Sequence, residues 1–125
     1  MIHAGRSADG IAYLERIMRV DPFYPPIYPY LMGKGYFFLG RYEDSIERGR
    51  SAAVRMPGFR PGIVIRAAAA AYLGRHDEAR AALADLRKLE PNFTIGDALR
   101  LVNLARQEDA DRLAHGLRLA GMTER

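Results

Sequence analysis

Apolar positions recur along the chain at helical spacing. Ile11, Leu14, Ile17 and Met18 mark one face of an amphipathic segment, as expected of a helix with one buried stripe. Near the other end, Ile95, Ala98, Leu99 and Val102 form a second stripe, and Ala110, Leu113, Ala114 and Leu117 a third. The run RQEDAD between these two is charged and holds no glycine, so it is expected to separate two helices. Thr94 stands three residues before Asp97, the spacing of a capping box that opens a helix.

The middle of the chain repeats itself. Leu39-Gly40-Arg41 recurs as Leu73-Gly74-Arg75, 34 residues later. Aligning residues 26–59 with 60–93 sets Gly40 on Gly74, Pro57 on Pro91 and Phe59 on Phe93. Each block reads as a helix, a glycine-centred turn, a second helix and a proline that forbids further helix. Gly40 and Gly74 fall where a left-handed residue ends the first helix. Asp44 and Glu78 fall near the start of the second, where negative charge suits the helix dipole.

A 34-residue period of helix, turn and helix, with Gly33, Tyr36, Tyr42, Ser45, Ala52 and Pro57 in one copy and Ala67, Ala79, Leu86 and Pro91 in the next, resembles the tetratricopeptide repeat. Small residues let antiparallel helices approach, and large ones fill the gaps beside them. Two departures stand out. A place usually held by a large aromatic is Pro29 in one block and Ile63 in the other. Pro29 is tolerated only in a first helical turn, so that helix is expected to start late. The run AAAAAY thins the first helix of the second block.

The resemblance implies an all-α, right-handed superhelix of antiparallel helix pairs, with about seven helices. Residues 1–25 read as the second helix of a truncated repeat plus a proline-rich connector, with Gly5 in the turn, Gly10 at a small position and Pro22 at the end. Such an orphan helix would expose an apolar side, so the chain is expected to continue upstream. DPFYPPIYPY is expected to be a stiff link between stacked units rather than a proline-motif ligand. Residues 26–59 and 60–93 are the two full repeats, and 94–125 a capping helix pair with a polar outer face.

Composition narrows the function. The net charge of +4 comes from 17 arginines and only two lysines, Lys34 and Lys88, against 15 acidic residues. The arginines are spread evenly among Asp and Glu, and no cluster is dense enough to track phosphates, so nucleic acid is not expected as a partner. Cysteine is absent, which excludes disulfides and thiolate metal sites. No apolar run approaches the roughly 20 residues that span a bilayer, and the first ten residues lack the apolar core of a signal peptide. A cytoplasmic chain with no membrane partner is expected.

Nothing in the sequence carries catalysis. His3, His76 and His115 have no metal-ligand spacing. Ser7, Ser45 and Ser51 lack a neighbouring base. GKGYFFLG lies within a helix and follows no strand, so it cannot cradle phosphate. No catalytic residue, cofactor or metal is expected.

What remains is surface. In the tetratricopeptide family the first helices of the repeats line a concave groove. The resemblance puts Ile27, Tyr30, Lys34, Phe37 and Phe38 there, followed by Pro61, Val64, Ala68, Ala71 and Tyr72. Such a groove would be aromatic at one end and shallow at the other, fit for an apolar or aromatic anchor at Tyr30 and Phe37. Alternatively, a missing neighbouring helix covers these aromatics. Capture of a chaperone's C-terminal carboxylates is not expected, because Lys34 is the only residue suited to it.

The ending points to a context. Pro91, Phe93, Thr94 and Ile95, then Gly116, Leu117, Arg118, Ala120, Gly121 and Met122, resemble the C-terminal tetratricopeptide tails of bacterial class III adenylate/guanylate cyclases. The resemblance implies a protein–protein interaction module at the end of a signalling protein, acting by self-association as a homodimer or by docking a protein or peptide. Similar tails occur on DNA-binding response regulators, so a peptide-binding tail of a transcription regulator is the alternative.

Overall fold

The computed structural model describes residues 2–124, with side chains from residue 8 onward. It is all-helical: α1 (Ile2–Val20), α2 (Tyr28–Phe38), α3 (Tyr42–Arg55), α4 (Arg60–Tyr72), α5 (His76–Leu89), α6 (Ile95–Val102) and α7 (Gln107–Ala120). Among the described residues there is no strand.

The turns form where the sequence places glycine. Gly40 and Gly74 have φ of +79° and +75°, a region that side chains rarely tolerate. At the first turn the Gly40 amide donates to the Phe37 carbonyl at 3.0 Å and the Arg41 amide to the Tyr36 carbonyl at 2.9 Å. At the second, Gly74 donates to Ala71 and Arg75 to Ala70 in the same way. These paired bonds satisfy carbonyls that a helix end leaves open. Glu43 and Asp44, and likewise Asp77 and Glu78, lie in the first turns of α3 and α5.

The 34-residue recurrence is therefore one of structure too. Helices α3 and α5 start and stop at equivalent positions, whereas α2 starts two residues late relative to α4. The delay accommodates Pro29, which lies in the first turn of α2 and is buried. Ion pairs join the two blocks, Glu43 with Arg75 and Arg50 with Glu78 at 2.9 Å, while Arg60 with Glu90 ties the start of the second block to its end. Between α2 and α3 the packing is close. The Ser45 hydroxyl donates 2.7 Å to the Gly33 carbonyl in the interior, and a Cβ on Gly33 would come within 3.2 Å of the Ser45 carbonyl. Ala67 to Ala71 are all buried, so the alanine run forms core.

The last two helices leave this stacking. The main neighbour of α7 is α4 rather than α6. A Cβ on Gly116 would lie 2.9 Å from that of Ala68 and 2.8 Å from the Tyr72 ring, so glycine is what lets α7 lie down on α4. Beyond α7, Gly121 turns the chain at φ +102°. The tail then comes back to α6, where the Ile95 amide donates to the Thr123 carbonyl at 2.9 Å. The expected capping box is present: the Asp97 amide donates to Thr94 Oγ1 at 3.2 Å and the Thr94 amide to Asp97 Oδ2 at 3.0 Å.

Two expectations need correction. Helix α1 continues through Gly5, which therefore marks no turn; glycine permits a bend without compelling one. The run RQEDAD belongs mostly to α7, and the connection lies earlier, at residues 103–106. There Asn103 takes the left-handed conformation at φ +53°, which asparagine tolerates better than most side chains.

Candidate functional site: a cleft beside Lys34

The positions expected to line an open groove are mostly interior. Phe37, Val64 and Ala68 have no exposed surface, and Tyr30, Phe38 and Ala71 are buried with them. Tyr30 meets the edge of Phe59 with ring centres 5.0 Å apart. Phe37 packs against Phe38 and Tyr42 at 4.9 and 5.4 Å. Tyr30 and Phe37 are thus core aromatics and offer no anchor site. Ile27 is exposed at the start of α2, and Pro61 is half-buried.

The cover comes from the chain itself. Helix α7 buries Leu113, Ala114, Gly116 and Leu117 and lies over Ala68 and Tyr72. The Tyr72 hydroxyl donates 2.6 Å to the Arg112 carbonyl, and Tyr42 stacks on Tyr72 at 4.7 Å. Burial, with Tyr42 beside it, raises the Tyr72 pKa, while Arg112 opposes the rise. Arg112 also reaches the Phe38 carbonyl, donating at 3.4 Å. The α4 half of the expected groove is therefore filled by α7. The cover there is a helix of this chain, not the missing neighbour of the alternative.

Beside α2 an opening remains. A cleft of about 490 Å³ lies between α1, α2 and the α6–α7 connection. Ile11, Leu14, Leu31, Phe38 and Leu104 supply apolar walls, and Lys34, Arg106 and Asp109 the charge. Burial pulls the Lys34 amine below its ordinary pKa, and the Asp109 carboxylate opposes that shift. Asp109 is itself buried in the first turn of α7, where the helix dipole favours a carboxylate. Arg106 donates 2.8 Å to Glu108. Of the expected groove residues, the cleft brings together Lys34 and Phe38 and leaves the others out.

Sequence reasoning missed Asp109, Leu104 and the part played by α1. Asp109 was legible in one respect: it precedes Leu113 and Gly116 by four and seven residues, on the face of α7 that turns inward. Asp109 and Lys34 are 75 residues apart in sequence, and no local pattern couples them.

An amine, a guanidinium and a carboxylate set among aliphatic walls can bind a group that is part apolar and part charged. His76 and His115 are exposed elsewhere. Among the described residues no group of three or more histidine or acidic side chains could hold a metal, and no helix is long and apolar enough to cross a membrane. In comparisons with protein-family models, curated proteins and solved structures, the chain matches none.

Proposed function

We propose that this chain is a protein-interaction module of the tetratricopeptide type, a cytoplasmic tail of a bacterial signalling protein without catalysis or cofactor of its own. It docks a partner segment in the cleft beside Lys34. The paired glycine turns at Gly40 and Gly74 and the matched limits of α3 and α5 support the repeat assignment. The cyclase context rests on the residue pattern at Pro91–Ile95 and Gly116–Met122.

The observation that carries the docking reading is Lys34 itself. Its amine is drawn into an apolar-walled cleft and lies below its ordinary pKa despite Asp109. A carboxylate brought there would favour the charged amine, with Arg106 close enough to line the same cleft. The segment that fits carries a leucine- or phenylalanine-sized side chain next to an aspartate or glutamate. Such an occupant also suits a net charge of +4.

The test is fluorescence anisotropy with short labelled peptides that hold one Leu or Phe anchor beside an acidic, amide or basic neighbour. Acidic peptides should bind best, and Lys34→Met should remove that preference while leaving helical content unchanged. Equal binding of the amide peptides, or an unaltered preference in Lys34→Met, would rule the docking reading out.

A further inference from the structure

The inner face of α1 is accounted for by Ile11, Leu14 and Met18, which pack with Met32 and Tyr36 of α2. Its opposite face is not. Asp9, Tyr13, Arg16 and Val20 follow one another by four, three and four residues, so they share a single stripe. All four are exposed. Tyr13 and Val20 leave 58% and 79% of their surface in water.

The charges on this stripe are self-complementary. Asp9 and Arg16 are seven residues apart, about 10 Å along a helix at 1.5 Å per residue. That is too far for them to pair with each other. If a second α1 is laid antiparallel across a two-fold axis between residues 12 and 13, Asp9 of each copy faces Arg16 of the other. The axis passes beside Tyr13, so the two rings meet at the centre of the contact. A two-fold interface requires this reciprocity, in which residue i meets j and j meets i. A parallel arrangement would set Asp9 against Asp9 and Arg16 against Arg16.

We propose that the outer face of α1 binds a second copy of this chain, antiparallel, through Tyr13 and two reciprocal Asp9–Arg16 pairs. This surface lies on the far side of α1 from its packing with α2 and does not depend on docking at Lys34. One helix face is small beside the roughly 1,200–2,000 Å² of a stable interface, so the pair is weak and reversible. Tethering to a larger parent would raise its effective concentration.

The test is sedimentation equilibrium of the chain from micromolar to millimolar concentration. The parent should self-associate, less so at high salt. Asp9→Arg alone and Arg16→Asp alone should each weaken association about tenfold, since each sets two like-charge pairs in place of two opposite ones. The double exchange Asp9→Arg with Arg16→Asp should restore it. Circular dichroism establishes that each variant keeps its helices, and Lys34→Met should dimerise like the parent. A chain monomeric at every concentration overturns the proposal, as do single exchanges without effect or a double exchange that fails to restore association.

Discussion

The Cβ position of Gly116 on α7 lies 2.9 Å from the Cβ of Ala68 on α4, closer than two methyl groups can stand. Helix α7 reaches α4 only because residue 116 lacks a side chain. Gly116→Ala should therefore destabilise the fold, although alanine favours a helix by about 1 kcal/mol. The overpacking cost is on the order of 1–3 kcal/mol, because the obstacles are a buried alanine and the Tyr72 ring. Urea denaturation of Gly116→Ala decides it. A midpoint equal to or above the parent's would mean that α7 does not rest on α4.

Two glycines elsewhere should respond with signs opposite to each other, according to backbone conformation. Gly49 lies inside α3, and its added Cβ would meet only the Arg66 stem, at 3.6 Å or more. Gly49→Ala should stabilise by about 0.5–1 kcal/mol. Gly74 has open space around it but a φ of +75°. Gly74→Ala should cost about 1 kcal/mol with no clash at all. Thermal melts of the two variants should move in opposite directions. Shifts of the same sign would show that space, and not conformation, governs these sites.

These glycines also mark what could be read from the sequence. Gly40 and Gly74 announce their turns because the requirement is local: a positive φ at a helix end selects glycine whatever packs nearby. The capping box at Thr94 is local in the same sense. The fate of the groove is not. Val64, Ala68 and Tyr72 stand where the tetratricopeptide resemblance implies a groove, and only the path of α7 decides that they are covered. Gly116 held the relevant signal, yet a lone glycine in a helix announces neither a partner nor its identity. The cleft suffers from the same limit, since Lys34, Asp109 and Leu14 come from three helices that only the tertiary fold brings together.

Burial of Tyr30 predicts a loss of stability in alkali. Its hydroxyl is pushed up from 10.0 to about 12 by desolvation. Between those values the folded chain keeps a proton that the unfolded chain has released. Stability from this source is thus complete below pH 10 and falls as pH rises towards the folded value. The slope approaches about 1.4 kcal/mol per pH unit. Tyr30→Phe should be less sensitive by that amount, so parent and variant urea midpoints should converge or cross as pH rises above 10. A constant difference between them would show that Tyr30 ionises as freely in the folded chain as in the unfolded one.

The capping box at the start of α6 makes the matching prediction for acid. The Thr94 amide and hydroxyl, followed by Arg100, hold the Asp97 carboxyl below its ordinary value of 3.8. The stabilisation from this group is therefore present above that value and is lost as pH falls through the lower, folded one. Asp97→Asn keeps the shape but cannot titrate, so its stability deficit at neutral pH should shrink as the solution is acidified. Thr94→Ala removes the other half of the box and should cost about 1 kcal/mol. Helix α6 is only eight residues long and its first turn also receives the returning C-terminal tail. Amide hydrogen exchange at Ile95 and Asp97 should accordingly accelerate in Thr94→Ala more than exchange within α4. Uniform acceleration across both helices would mean that α6 opens only when the whole fold does.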